Sequence, residues 1–218
     1  MKQQIHTVIF DLDGTLIRTE DLKDAFKQIA ISYGCTPDEA QEVYRLSRTR
    51  VNPETGKEEM AFCREYFEEQ LKTFLKEYKG RDVEKIDFAR LDEVLNDGLL
   101  IDGAAELIKS AKEKKLNWYL ITLGVESWQI EKLRGAGLDG YFSFGDQEQE
   151  GNIIITVNNE REGGRKIGAI REKFGKDFDG EGVAFFNDKP WETKNAALEF
   201  RELTTYIVRY RRDKRYTE

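Results

Sequence analysis

The sequence contains one histidine, two cysteines and no long apolar run, and each scarcity removes a class of function. A zinc site built on several histidines is excluded, and a Ser-His-Asp or Cys-His catalytic system would have to use His6. That residue lies early in a predicted strand and points to no evident site. Chemistry must therefore rest on carboxylates, hydroxyls and lysines, with a hard metal ion if any. Cys35 and Cys63 are too few for a disulfide framework and read as free thiols of a reducing compartment, with the cytoplasm as the default. No stretch approaches the ~20 apolar residues that a membrane helix needs. The N-terminus runs from Met1 into a strand without a signal-peptide pattern, and no Asn-x-Ser/Thr site occurs. No Gly-x-Gly-x-x-Gly follows the first strand, which argues against a dinucleotide fold. Gly163-Gly164-Arg165-Lys166 lacks the spacing and the Lys-Ser/Thr ending of a P-loop.

What is present fits a folded α/β protein. The 218 residues suffice for one domain with an insertion, or for two small domains. An aromatic content of 11% is too high for a disordered tail. A net charge of −7 argues against a general nucleic-acid binder. The basic cluster Arg209, Arg211, Arg212, Lys214 and Arg215 is a local exception that reads as a solvated tail end.

Residues 5–10 predict a buried strand, and Asp11-Leu-Asp-Gly-Thr follows with a tight turn at Gly14. The charged stretch from Arg18 to Asn96 reads as wholly helical. Leu22, Ala25, Phe26, Ile29 and Ala30 share one helix face. Thr36-Pro37-Asp38-Glu39 is a capping box that starts a second helix, with Ala40, Val43, Tyr44 and Ser47 inward. After a turn at Asn52-Pro-Glu-Thr-Gly56, Met60 to Tyr78 mark a third helix and Phe88 to Leu95 a fourth. The pattern then alternates. Asp102 caps a helix, Trp118–Thr122 is a strand, and Glu126–Arg134 is a helix ended by Gly135 and Gly137. Tyr141–Phe144 is a short strand, and Asn152–Val157 is another, arranged as a hairpin. Ile167–Phe174 is a helix, Val183–Asn187 a strand, Glu192–Phe200 a helix and Thr205–Val208 a last strand. Such alternation implies a parallel sheet covered on both faces. The expected architecture is a Rossmann-like α/β core, residues 1–17 and 99–218, with a helical cap over 18–98 inserted where such sheets bind ligands.

The chemistry concentrates in Val8-Ile-Phe-Asp11-Leu-Asp13-Gly14-Thr15-Leu16. Two carboxylates two residues apart end a buried apolar strand. A turn or a helix cap would use one aspartate, not two followed by Gly-Thr. This arrangement resembles the first motif of the haloacid dehalogenase (HAD) superfamily, and three further stretches match that family in order. Thr122 ends the next core strand. Lys166 opens the helix before the fourth-motif strand, with Arg165 and Lys173 as alternatives. Asp188 follows Val183–Asn187, and Glu192 stands four residues later. The sequence departs from the family at Leu123, Ile167 and Asn187, and the stretch from Phe144 to Lys166 is long for the family.

The resemblance implies a Mg²⁺-dependent phosphatase acting on a small phosphorylated metabolite. Asp11 is then the nucleophile that becomes phosphorylated, and Asp13 is the acid/base partner. Thr122 binds a phosphoryl oxygen and Lys166 neutralises charge. Asp11, the Asp13 backbone carbonyl and Asp188 hold the metal. Glu192 either binds that metal through water or favours the N-terminus of the next helix. The family's dehalogenases lack an acid at the second position, so Asp13 favours phosphoryl transfer. Arg45, Arg48 and Arg50 are candidates for contact with an anionic substrate, against their reading as solvated residues. A phosphomutase would use the same set, and a binding or regulatory protein on the same scaffold is the alternative from another class.

Overall fold

The run Thr7–Asp11 (β1) is buried along its whole length, as an unbroken apolar strand covered on both faces must be. The computed structural model describes residues 4–145, 151–157 and 165–210, except for the Arg165 side chain. Beyond β1 the core elements are α5 (Ala104–Glu113), β4 (Asn117–Leu123), α6 (Glu126–Gly135), β5 (Ile153–Thr156), α7 (Arg165–Phe174), β6 (Val183–Asn187), α8 (Pro190–Glu199) and β7 (Thr204–Ile207). The strands form one five-stranded sheet in the order β5-β4-β1-β6-β7, with every pairing parallel. This is the Rossmann-like core that the alternation predicts. No helix among the described residues is long and apolar enough to cross a membrane.

Between β1 and α5 the chain forms α1 (Thr19–Ser32), α2 (Pro37–Leu46), β2 (Thr49–Val51), β3 (Glu58–Met60), α3 (Arg64–Lys79) and α4 (Ala89–Asn96). The five apolar residues assigned to one face of α1 are all buried. The capping box of α2 is complete, with Thr36 and Glu39 bonded reciprocally. The two connections to the core run side by side. Arg18 donates its amide to the Leu99 carbonyl at 2.8 Å, and Ile101 donates to Leu16 at 2.9 Å.

The insert rests on the core through aromatic rings. Phe26 and Phe62 meet Trp128 of α6 with centroids 5.5 and 6.1 Å apart, and Phe67 packs against Phe26 with tilted rings 4.7 Å apart. Each large apolar side chain withdrawn from water in this way contributes roughly 1.5–3 kcal/mol. Arg64 adds an ion-pair link from α3 to Glu131 of α6, and the Met60 amide donates to the Val157 carbonyl at 2.9 Å.

Several expectations need correction. The insert is not wholly helical. β2 and β3 pair antiparallel about the Asn52 turn, and Met60 belongs to β3 rather than to α3. Asn52 makes the hairpin by accepting from the amides of Glu54 and Thr55 and donating to Glu59. Tyr141–Phe144 is not a strand, because the Asn152 side chain takes up its backbone groups, bonding the Ser143 amide and the Tyr141 carbonyl. Asn152–Val157 does contain a strand, β5, but it adds in parallel to β4 with Leu120 opposite Ile153 instead of forming a hairpin. Asp102 does not cap α5. Gly103 occupies that position at φ 87°, a left-handed conformation suited to glycine. Most of the C-terminal basic cluster lies outside the described residues.

Candidate active site

Register explains why distant residues meet. Asp11, the last residue of β1, lies beside Ile121 of β4, one residue before Thr122. On the other side Phe10 pairs with Phe186, so Asn187 and Asp188 emerge level with Asp11. Parallel neighbours end on the same side of a sheet, and loops there form the ligand crevice. A cavity of about 420 Å³ opens at this edge beneath the insert. Asp11, Asp13, Lys166 and Asp188 all line it. Thr122 does not. It is fully buried, and its hydroxyl donates to Gln129 Oε1 at 3.1 Å. Gln129 forms the cavity wall in front of it.

Asp11 is 1% exposed. Lys166 Nζ lies 2.7 Å from its Oδ1 and 2.9 Å from Glu192 Oε2. Thr15 donates to Asp11 Oδ2 at 3.4 Å. Burial pushes the Asp11 carboxyl up to about 7; Lys166 opposes this, while the negative charges of Asp188 and Glu192 reinforce it. Burial also works against the charge of Lys166, but Asp11 and Glu192 more than offset it and hold the ammonium above the ordinary lysine range. For Glu192 burial is overcome by Lys166 and Lys189, which hold it down at about 2. Glu192 thus clamps Lys166, and it accepts from Asn187 Nδ2 at 3.3 Å.

Asp13 has different company. Lys132 of α6 places Nζ 2.6 and 2.7 Å from its two oxygens, and Thr19 donates to Oδ1 at 3.1 Å. Burial raises Asp13, but Lys132, Lys189 and the Thr19 bond outweigh it and hold the carboxyl below its usual range.

The donor set fits a hard divalent cation. Asp11 and Asp188 are two buried carboxylates close enough for one to raise the proton affinity of the other. A cation would relieve that repulsion. Among the described residues no group of three or more His, Cys, Asp or Glu side chains is placed to hold a metal by itself. The expected set needs only two carboxylates and a main-chain carbonyl, which suits an ion that keeps several waters.

Lys166 lines the cavity and Lys173 does not; Lys173 lies over the Tyr119 ring at 5.5 Å. The Arg165 side chain lies outside the described residues. Arg45 and Arg50 pair with Glu42 and Glu59, while Arg48 lines the cavity. Sequence reasoning missed Lys132, Gln129, Lys189 and Thr19. A signal existed for the first two. Trp128, Gln129, Lys132 and Leu133 fall on one helix face, and all four are buried. A lysine and a glutamine on an inward face require partners.

Fold and site together define a class of protein with a parallel α/β core and paired aspartates at the end of its first strand, beneath an inserted segment. A family model described as haloacid dehalogenase-like hydrolase matches residues 5–197, and the chain belongs to that family. No curated protein matches the chain. Among solved structures it is similar to the candidate HAD-hydrolase YfnB from Bacillus subtilis, determined bound to magnesium. That likeness has 22% identity and a TM-score of 0.54, and covers 93% of this chain and 88% of the other. It is also similar to L-2-haloacid dehalogenase from Xanthobacter autotrophicus, at 17% identity and TM-score 0.53 over 94% and 78% of the two chains. A candidate β-phosphoglucomutase from Thermotoga maritima matches at 20% identity and TM-score 0.54 over 96% and 89%. At these identities the likeness concerns the fold alone.

Proposed function

We propose that the chain is a magnesium-dependent phosphatase that hydrolyses a small phosphate monoester through an aspartyl-phosphate on Asp11. The observation that carries this reading is the second acid. Asp13 reaches the same cavity as Asp11 and supplies a proton donor and acceptor that carbon–halogen cleavage does not need. Asp11, Asp188 and the Asp13 carbonyl would hold Mg²⁺, which when bound neutralises charge between the carboxylate and the phosphoryl group.

The chain's own groups do the rest. Asp11 attacks phosphorus as the bond to the ester oxygen breaks, and Asp13 gives its proton to that oxygen. Asp13 then takes a proton from water as the water oxygen displaces Asp11. Lys166 offsets negative charge on the phosphoryl oxygens. Gln129 is the polar group that faces the cavity where Thr122 was expected, and Thr122 orients its amide.

We assign residues 18–98 as a cap over a core of 1–17 and 99–218, closing out bulk water. Two free cysteines support a reducing, cytoplasmic setting. The test is a panel of phosphorylated metabolites assayed with Mg²⁺, with Asp11→Asn as the blank. Release of inorganic phosphate that needs both Mg²⁺ and Asp11 is the expected result. Isomerisation without release would replace the reading with a mutase, and inactivity across the panel with a binding protein.

A further inference from the structure

We propose that Lys132 is a positioning residue for the acid/base step, holding the Asp13 carboxyl group in the place and plane from which it reaches the leaving group. This rests on the phosphatase reading above and adds a residue to it.

The geometry is specific. Lys132 Nζ lies 2.6 Å from one Asp13 oxygen and 2.7 Å from the other, so a single ammonium straddles the carboxylate and fixes its plane. The Lys132 side chain is 3% exposed, and its Nζ lies 5.9 Å from the centre of the Trp128 ring. Burying a lysine this deeply is unfavourable unless its charge is matched, and Asp13 supplies the matching charge. Trp128 packs against Phe26 and Phe62, so the lysine stem sits in a rigid setting.

The proton balance follows. When Asp13 passes its proton to the ester oxygen, one O–H bond breaks and another forms, and a carboxylate appears beside the ammonium. Lys132 keeps all three of its protons in both half-reactions. A carboxyl group fixed in place helps most where the leaving oxygen needs a proton. An alkoxide needs one, whereas a nitrophenolate leaves without it.

The test compares p-nitrophenyl phosphate with the best alkyl phosphate of the metabolite panel, both with Mg²⁺. Lys132→Met should lower kcat on the alkyl ester about 10–100-fold, a share of the general-acid contribution. The aryl ester should change less than about threefold, and Lys132→Arg should restore most of the alkyl rate. In an Asp13→Asn background, Lys132→Met should leave the alkyl-to-aryl ratio unchanged. In the metal-free protein, the melting-temperature losses of the two single variants should not add in the double variant. Equal loss on both esters, or a faster alkyl rate in Lys132→Met, would overturn the role of Lys132 and leave the phosphatase reading intact. No turnover of either ester by the unaltered enzyme would overturn both.

Discussion

Two buried lysines each grip one carboxylate of the same Asp11-Leu12-Asp13 turn, and they leave those carboxylates in opposite states. Lys166 serves Asp11 but shares its charge with Glu192, while Asp188 adds a further negative charge nearby. Asp11 is consequently raised to about 7 by burial and by these acidic neighbours. Lys132 ion-pairs with Asp13, the charge of Lys189 and a bond from Thr19 assist, and Asp13 is lowered despite its burial. The distinction lies in stoichiometry. Where acids outnumber bases, the site lacks positive charge, and a cation is the natural complement. Where positive charge at least matches negative, the carboxylate is complete without it. On the proposed reading, the first half receives a metal and a phosphoryl group, and the second manages a proton.

The comparison breaks most visibly at Asp11. Asp11→Asn should lower phosphate release at least about a thousandfold, the scale seen when a nucleophile is removed, and circular dichroism should find the fold unchanged. A variant with ordinary activity would move the nucleophile elsewhere. Next comes Lys166→Met. Since Lys166 acts on phosphoryl charge common to every ester, it should cost about 10²–10³ in kcat on aryl and alkyl esters alike. A loss confined to alkyl esters would mean that the two lysines do not divide the work as their positions imply.

Protonation sharpens the contrast without any substrate. The native Asp11 carboxyl titrates at about 7 against an ordinary value of 3.8, so the folded protein binds that proton more tightly than the unfolded chain does. Its contribution to stability is present below the ordinary value and is lost as pH rises through about 7. Asp11→Asn lacks this dependence. Glu192 works the other way, losing its contribution only as pH falls from 4.5 toward about 2, and it is present in both proteins. In metal-free buffer, the melting temperature of Asp11→Asn should therefore gain on that of the unaltered chain between pH 5 and pH 8. The gain should be at least about 2–4 °C, the shift that 1 kcal/mol makes in a chain of this size. A difference independent of pH would show that Asp11 is not the strained carboxylate.

The nucleophile half was more legible in the sequence than the proton half. Asp11, Asp188 and Lys166 each border a strand or helix with a clear apolar run, and sheet order brings those ends together. Lys132 carried no such flag, because in a chain that is 35% charged a lysine reads as solvated unless its helix face is worked out. Thr122 lies one residue before the end of β4, and its hydroxyl is turned to Gln129, a choice made by α6 packing that strand patterns do not encode. The same limit hid the β2–β3 hairpin. Its strands are three residues each and polar, too short for alternation to emerge from the surrounding helical pattern.

The smallest effect separates the two partners of Asp13. Lys132 supplies two short, charged bonds, whereas Thr19, the first residue of α1, supplies one at 3.1 Å from a neutral hydroxyl. A single bond of that kind contributes about 0.5–3 kcal/mol, at the lower end when other donors remain. Thr19→Val should therefore reduce kcat on alkyl esters by about two- to tenfold and spare aryl esters. Thr19 also stands where the chain enters the insert, beside the Arg18–Leu99 backbone bond, so its hydroxyl ties the acid to the start of α1. If Thr19→Val proved as damaging as Lys132→Met, the orientation of Asp13 would depend on the placement of the insert rather than on the ammonium beside it.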